Sequence, residues 1–110
     1  MATNRGVTRL WRLDCRLGVE NGANVLVLQG RLGHHSVGEL RAAATAAMAQ
    51  GDKDLVIDLA GVDYLSGAAI KVFNDLAREQ AARSRDLTLR SPSPAARLSL
   101  ELAGLAARTK

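Results

Sequence analysis

Few side chains in these 110 residues have the type and spacing to do chemistry. They are the neighbouring imidazoles His34 and His35, the lone thiol Cys15, the carboxylate Asp58 and the hydroxyl Ser66. Imidazoles ligate transition metals, but adjacent loop positions point in different directions and no Cys or acidic cluster supports them, so a solvated loop is expected. Cys15 belongs to an alternating apolar stretch and is expected on its buried face, as a small hydrophobe. Asp58 closes an apolar run without a second carboxylate or a histidine beside it; it reads as capping the turn or pairing with backbone N–H groups rather than as a general acid. Ser66 stands where a helix begins and suits an N-cap. The sequence holds no Gly-rich phosphate loop, nucleophile–base pair or Cys/His cluster. The expectation is a protein that is not an enzyme and uses neither metal nor cofactor.

Asp58 and Ser66 flank a connection rich in small residues, with Ala60 and Gly61 before Ser66 and Gly67, Ala68 and Ala69 after it. Leu55-Val56-Ile57 is an unbroken apolar run, the pattern of a strand buried on both faces. Beyond the connection, Ile70, Phe73, Leu76, Ala77 and Ala81 recur at helical spacing. A strand feeding a helix through such a turn presents the helix N-terminus at one edge of the sheet, where open α/β folds carry function. The functional surface is therefore expected here.

Around this centre, residues 1–9 read as a flexible tail and residues 10–110 as one domain. From Trp11 the apolar residues alternate through Leu13, Cys15, Leu17 and Val19, predicting a strand with one buried face. Asn21-Gly22 signals a hairpin, and Val25 to Leu28 is apolar on both faces. Gly30 to His35 reads as a connection, with Ser36 as N-cap and Glu39 completing a capping box. Val37, Leu40, Ala44, Ala47 and Met48 form a helical stripe ended by Gly51. The third strand spans Lys53 to Leu59 and the second helix about Gly67 to Arg83. Asp86 to Arg90 is a fourth strand. A last helix is capped by Ser93, with Pro94 in its first turn, Leu98, Leu102 and Leu105 as its apolar face and Gly104 at its C-terminal cap. The order β-β-α-β-α-β-α predicts an α/β fold with a small mixed sheet, parallel apart from one antiparallel strand, packed with helices.

Composition narrows the partners. The net charge of +4 comes from basic residues spread along the chain, several beside acids, which is the signature of a solvated surface. Only 3% of residues are aromatic, too few for stacking nucleic-acid bases, and no nucleic-acid partner is expected. One cysteine demands no oxidising compartment. No apolar run approaches the roughly 20 residues of a membrane span. The expected location is the cytoplasm, with no direct membrane insertion.

The stretch Val25-Leu-Val-Leu-Gln-Gly-Arg-Leu32, the Ala-rich helix, and Leu55-Val-Ile-Asp-Leu-Ala-Gly-Val-Asp-Tyr-Leu-Ser-Gly-Ala-Ala-Ile70 together resemble the STAS domain, the module of bacterial anti-sigma factor antagonists and sulphate-transporter tails. Leu98 to Leu105 is similar to the family's penultimate helix, so the resemblance runs from about Trp11 to Leu105. It implies a module that regulates transcription by binding an anti-sigma factor, often a serine kinase that phosphorylates a hydroxyl at the start of the second helix. A phosphate of about −2 charge at a packed interface breaks such a complex by desolvation and repulsion.

The resemblance fails at the switch itself. The family motif resembles Asp-Ser-Ser/Thr-Gly-Leu and falls on Ser66, Gly67, Ala68, Ala69 and Ile70, so the acceptor position is Ala68, which has no oxygen to modify. The family's Gly-x-Leu-Asp reads Gly30-Arg31-Leu32-Gly33, without the acid. Either Ser66 is a displaced phosphorylation site or the module is not switched here, and the second reading is preferred. Against the family pattern the chain is expected to lack the last strand and helix. That would leave the fourth strand's edge to the last helix, to a homo-oligomeric partner or to another chain.

The expected partner-binding residues are Arg31, His34, Tyr64, Leu65, Ser66, Gly67, Ala68, Lys71, Asn74 and Arg78. Tyr64 and Leu65 supply amphipathic contact at the loop tip, and Lys71, Asn74 and Arg78 share the helix face opposite Phe73. The partner is expected to be a protein: an anti-sigma factor or serine kinase or, in the alternative reading, a subunit of a membrane transport complex.

Overall fold

A computed structural model describes residues 13–110. The expected flexible tail over 1–9, together with Trp11, lies outside the described residues. The chain forms β1 (Asp14–Glu20), β2 (Ala23–Leu32), α1 (Val37–Met48), β3 (Leu55–Leu65), α2 (Gly67–Ala82), β4 (Leu87–Arg90) and α3 (Pro94–Leu102), with short 3-10 turns at His34–Ser36 and Ala106–Arg108. The sheet order is β1-β2-β3-β4. β1 and β2 are antiparallel, joined by Asn21-Gly22, whose φ values of 50° and 79° suit a two-residue hairpin turn. The pairs β2–β3 and β3–β4 are parallel, each bridged by a helix. The mixed sheet is as the sequence predicts.

Register explains the core. Leu26, Ile57 and Leu89 are neighbours across three strands, with Leu28, Leu55, Leu59 and Leu87 on the same face. Against that face pack Leu40, Ala44 and Ala47 of α1 and Ala69, Phe73 and Leu76 of α2, all fully buried. Arg41 on the outer side of α1 pairs with Glu79 of α2. The opposite sheet face carries Val27, Val56, Asp58, Thr88 and Arg90, none of them fully buried. Burying leucines on one face only is what sets the register, because a one-residue slip would turn them to the other side.

The structure departs from expectation in several places. All seven residues of β1 are exposed, including Cys15, with Leu17 at 46% and Val19 at 58% exposure. The alternation is there, but β1 is an edge strand and the helices do not cover it; only Leu13, just before it, enters the core. The connection expected between Ala60 and Ser66 is instead the second half of β3, and β2 runs on beside it to Leu32. Between Val27 and Gln29 the partner strand advances from Asp58 to Gly61, and between Gly30 and Arg31 from Val62 to Tyr64. β3 thus carries an extra residue at each of two bulges.

Ser36 precedes α1 but makes no capping bond; its hydroxyl donates to Arg31 O at 2.6 Å and accepts from Gly33 N–H at 3.1 Å. The 3-10 turn before it aims the side chain back at β2. In α2, Ala81 is exposed and Gln80 is buried instead, its amide donating to Lys53 O and Asp86 O, both at 3.1 Å. In α3 the phase differs. Leu98 (58%) and Leu102 (81%) face solvent, while Ala96 and Leu100 turn inward. The helix end decides this: Gly104, at φ 85°, lets Gly104 N–H reach Glu101 O and Leu105 N–H reach Leu100 O, so Leu105 closes onto Leu100. The cap by Ser93 is as expected, its Oγ accepting from Ala96 N–H at 3.2 Å. Beyond α3, Thr109 bridges Leu89 in parallel and Lys110 N–H donates to Leu89 O at 2.8 Å, so the outer edge of β4 meets residues of the same chain.

Candidate functional site

The ends of β2 and β3 lie side by side, with Arg31 opposite Tyr64 and Leu32 opposite Leu65. The Arg31 guanidinium lies over the Tyr64 ring, 5.2 Å from its centroid, an attraction of about 0.5–1 kcal/mol at an exposed site. Ser66 N–H donates to Leu32 O at 2.8 Å, fixing where the chain leaves the sheet to start α2. Ser66 then caps the helix, its Oγ accepting from Ala69 N–H at 3.2 Å, as its residue type predicts. Gly67 and Ala68 form the first turn, with Gly67 exposed and Ala68 half-buried. No acidic residue sits in that turn.

The remaining expected contact residues spread outward from this point. His34 is exposed in the 3-10 turn next to Arg31. Lys71 and Arg78 are exposed and Asn74 half-buried on α2, with Phe73 fully buried on the other side. Arg78 is paired with Asp75 on its own helix, which moderates its charge toward any partner. Leu65 is half-buried against the core and Tyr64 is 48% exposed. The structure therefore brings Arg31, Tyr64, Leu65, Ser66, Gly67 and Ala68 into one patch, with His34 at one rim and Lys71, Asn74 and Arg78 along the helix.

One contribution went unread in the sequence. A shallow pocket of about 220 Å³ joins Tyr64 and Leu65 to Ser93, Ala95 and Ser99 at the start of α3. Helical spacing puts Leu98 and Leu102 on the same side as Ala95 and Ser99, so exposed leucines continue the patch. Leu98, Leu100 and Leu102 fall at every second position; which of them faced out could have been read from Gly104, whose capping motif commits Leu100 and Leu105 to the core. Cys15 and Asp58 lie elsewhere. Asp58 Oδ1 accepts from Ala60 N–H at 2.9 Å, the backbone pairing expected of it, and Oδ2 meets Arg90. Among the described residues no group of His, Cys, Asp and Glu is placed to hold a metal ion.

A protein-family model, Mlab, STAS domain, matches residues 15–107. The chain belongs to the STAS domain family. No curated protein sequence matches this STAS domain. Solved structures share its fold. The anti-sigma factor antagonist SpoIIAA in its unphosphorylated form is 24% identical over 88% of this chain and 86% of its own, with a TM-score of 0.76. An anti-sigma factor antagonist from Mycobacterium paratuberculosis is 22% identical over 84% and 79%, also at 0.76. The murine anion transporter Slc26a9 is 12% identical over 94% of this chain but 20% of its own, at 0.70. These likenesses establish the STAS fold. No helix among the described residues is long and apolar enough to cross a membrane.

Proposed function

We infer that this STAS domain is a binding module of the cytoplasm, without catalytic activity, that docks the start of α2 and the adjoining ends of β2 and β3 onto an anti-sigma factor. The observation that carries this is the patch itself: an uncharged helix start, with Gly67 exposed and Ala68 half-buried, beside the stacked Arg31–Tyr64 pair. Such a surface offers shape and apolar contact at its centre and charges of both signs around it, Arg31 and Lys71 on one side and Asp63 on the other, the anatomy of a protein interface. Ala68, at the family's acceptor position, has no oxygen, so phosphorylation at that position does not release the partner.

The test is binding of a histidine-kinase-like anti-sigma factor by calorimetry, comparing the natural chain with Ala68→Asp. An acid in the first turn of a helix suits the dipole, so the fold is retained while the interface gains a charge with no partner. A drop of tenfold or more in affinity supports the reading; equal affinity places the interface elsewhere. Incubation with the kinase and ATP, followed by mass spectrometry, is expected to leave residues 66–70 unmodified. Phosphate on Ser66 would overturn the unswitched reading.

A second reading, a cytoplasmic STAS subunit of a membrane transport complex, draws support from the missing acceptor at position 68 and from the shared fold with part of an anion transporter. Co-purification with an ABC permease or ATPase would favour it over the first.

A further inference from the structure

Among the described residues nothing covers the outer edge of β1, and its charged side chains, Asp14, Arg16 and Glu20, all belong to the sheet face away from the helices. No proline interrupts it, no bulge twists it, and the apolar side chains of Leu17 and Val19 stand exposed on the side of the sheet where the helices pack. The two-residue turn closes on the pair Glu20–Ala23, so Glu20, Gly18 and Arg16 spend their backbone groups on β2, while Val19, Leu17 and Cys15 direct theirs outward. The overhanging flank of α1 is low. Arg41 reaches α2 from one side of that helix, and the other side carries Glu39, near Cys15, and then Ala43 and Ala46 beyond it. Neither of these small side chains obstructs an approach along Leu17 and Val19.

We propose that β1 pairs antiparallel with β1 of a second copy of this chain, with Gly18 on the two-fold axis, joining two four-stranded sheets into one. Register is decided by charge. A two-fold axis normal to the sheet keeps each face on its own side, so only residues of like parity can meet across it. Centring on Leu17 sets Asp14 against Glu20. Centring on Arg16 sets Arg16 against itself. Centring on Cys15 pairs Asp14 with Arg16 but leaves Val19 without a partner among the described residues. Centring on Gly18 sets Arg16 of each copy opposite Glu20 of the other and Leu17 opposite Val19, twice each. That register alone matches opposite charges and covers both exposed aliphatic side chains, while their outward backbone groups form the ladder. Glu20 already meets Arg90 at 3.3 and 3.4 Å on the other side of the sheet, so Arg16 of the second copy joins an existing cluster of alternating sign. The interface is short and the dimer concentration-dependent. It does not rest on the α2 surface, which the pairing leaves free.

Sedimentation velocity over a concentration series tests the association, and a disulfide tests the register. The natural chain is expected to dimerise with rising concentration. Val19→Lys and Arg16→Glu, both at exposed positions, should each raise the dissociation constant tenfold or more with an unchanged circular dichroism spectrum. In the double variant Cys15→Ser/Gly18→Cys, the thiols introduced at position 18 of the two copies occupy a non-hydrogen-bonded pair with Cα atoms about 4.5 Å apart, within disulfide reach. A Cβ at position 18 meets nothing within 4 Å, so the variant folds. With oxidised glutathione it should form a linked dimer at least ten times faster than the natural chain does through Cys15. A chain that stays monomeric at millimolar concentration, or dimers unaffected by Val19→Lys, would overturn the proposal. A faster disulfide through Cys15 would overturn the register.

Discussion

Arg90 grips Asp58 across the β3–β4 boundary, its Nη2 and Nε both within 3.1 Å of Oδ2. The other oxygen of Asp58 takes the Ala60 N–H, and the far side of the guanidinium meets Glu20. One cation therefore ties the last residue of β1 to β3 and β4 and steadies the first bulge. The hydrogen bonds to Glu20 and Asp58 push the Arg90 pKa further above its already high value. Arg90→Ala should cost about 1 kcal/mol in urea denaturation, the upper end for a partly exposed pair. Most of that difference should vanish in 1 M salt, where the screening length is about 3 Å.

Ser66→Ala removes the cap of α2 and should destabilise the domain by about 1 kcal/mol. Ser66→Asp keeps a capping oxygen and should match the natural chain in thermal unfolding. The two variants separate structure from recognition: a loss of partner binding in Ser66→Asp alone would come from its charge, not from a frayed helix.

Gly61 sits at the first bulge, and a Cβ there would lie 2.7 Å from Gln29 Cγ and 3.0 Å from the Leu28 carbonyl oxygen. The side chain of Gln29 can swing away, but the backbone oxygen cannot. Gly61→Ala should cost about 1–3 kcal/mol, the range for overpacking, read from the shift in denaturation midpoint. Gly18→Ala, in open space on β1, is the control and should be close to neutral.

Cys15 is exposed on the edge strand, but partial loss of water around its thiol, then the charges of Glu39 and Asp14, raises the thiol above its ordinary value. The folded chain holds this proton more tightly than the unfolded one. The resulting stability is complete below the ordinary value and fades as pH rises through the raised one. Alkylation by iodoacetamide should therefore reach half-maximal rate at higher pH than in the denatured chain, and Glu39→Gln should move that midpoint down.

Where periodicity was unbroken, the sequence could be read directly. The Asn21-Gly22 turn, the leucines of β2 and β3, and the caps at Ser66 and Ser93 all follow from local chemistry that the fold does not override. The second half of β3 was illegible for a physical reason. Its inward residues, Leu59, Val62 and Leu65, are three apart because a bulge lies between each pair, and a spacing of three is not a strand signal. β1 failed differently: its alternation is real, but nothing in a single strand says that it lies at an edge beyond the reach of the helices. The candidate patch was half visible. Its β3–α2 portion stood out by its small residues, while its α3 portion looked like core because Leu98 and Leu102 are as apolar as the leucines that are buried.

The surplus residues of β3 have a genetic corollary. Dropping one residue from either bulge returns that span to ordinary pleating while Leu59, Val62 and Leu65 still face inward. Elsewhere in these strands a one-residue deletion would invert every side chain downstream. Alignment gaps among relatives are therefore expected to gather between Leu59 and Leu65, where a lineage can lengthen or trim the approach to Ser66 and leave the leucine layer intact.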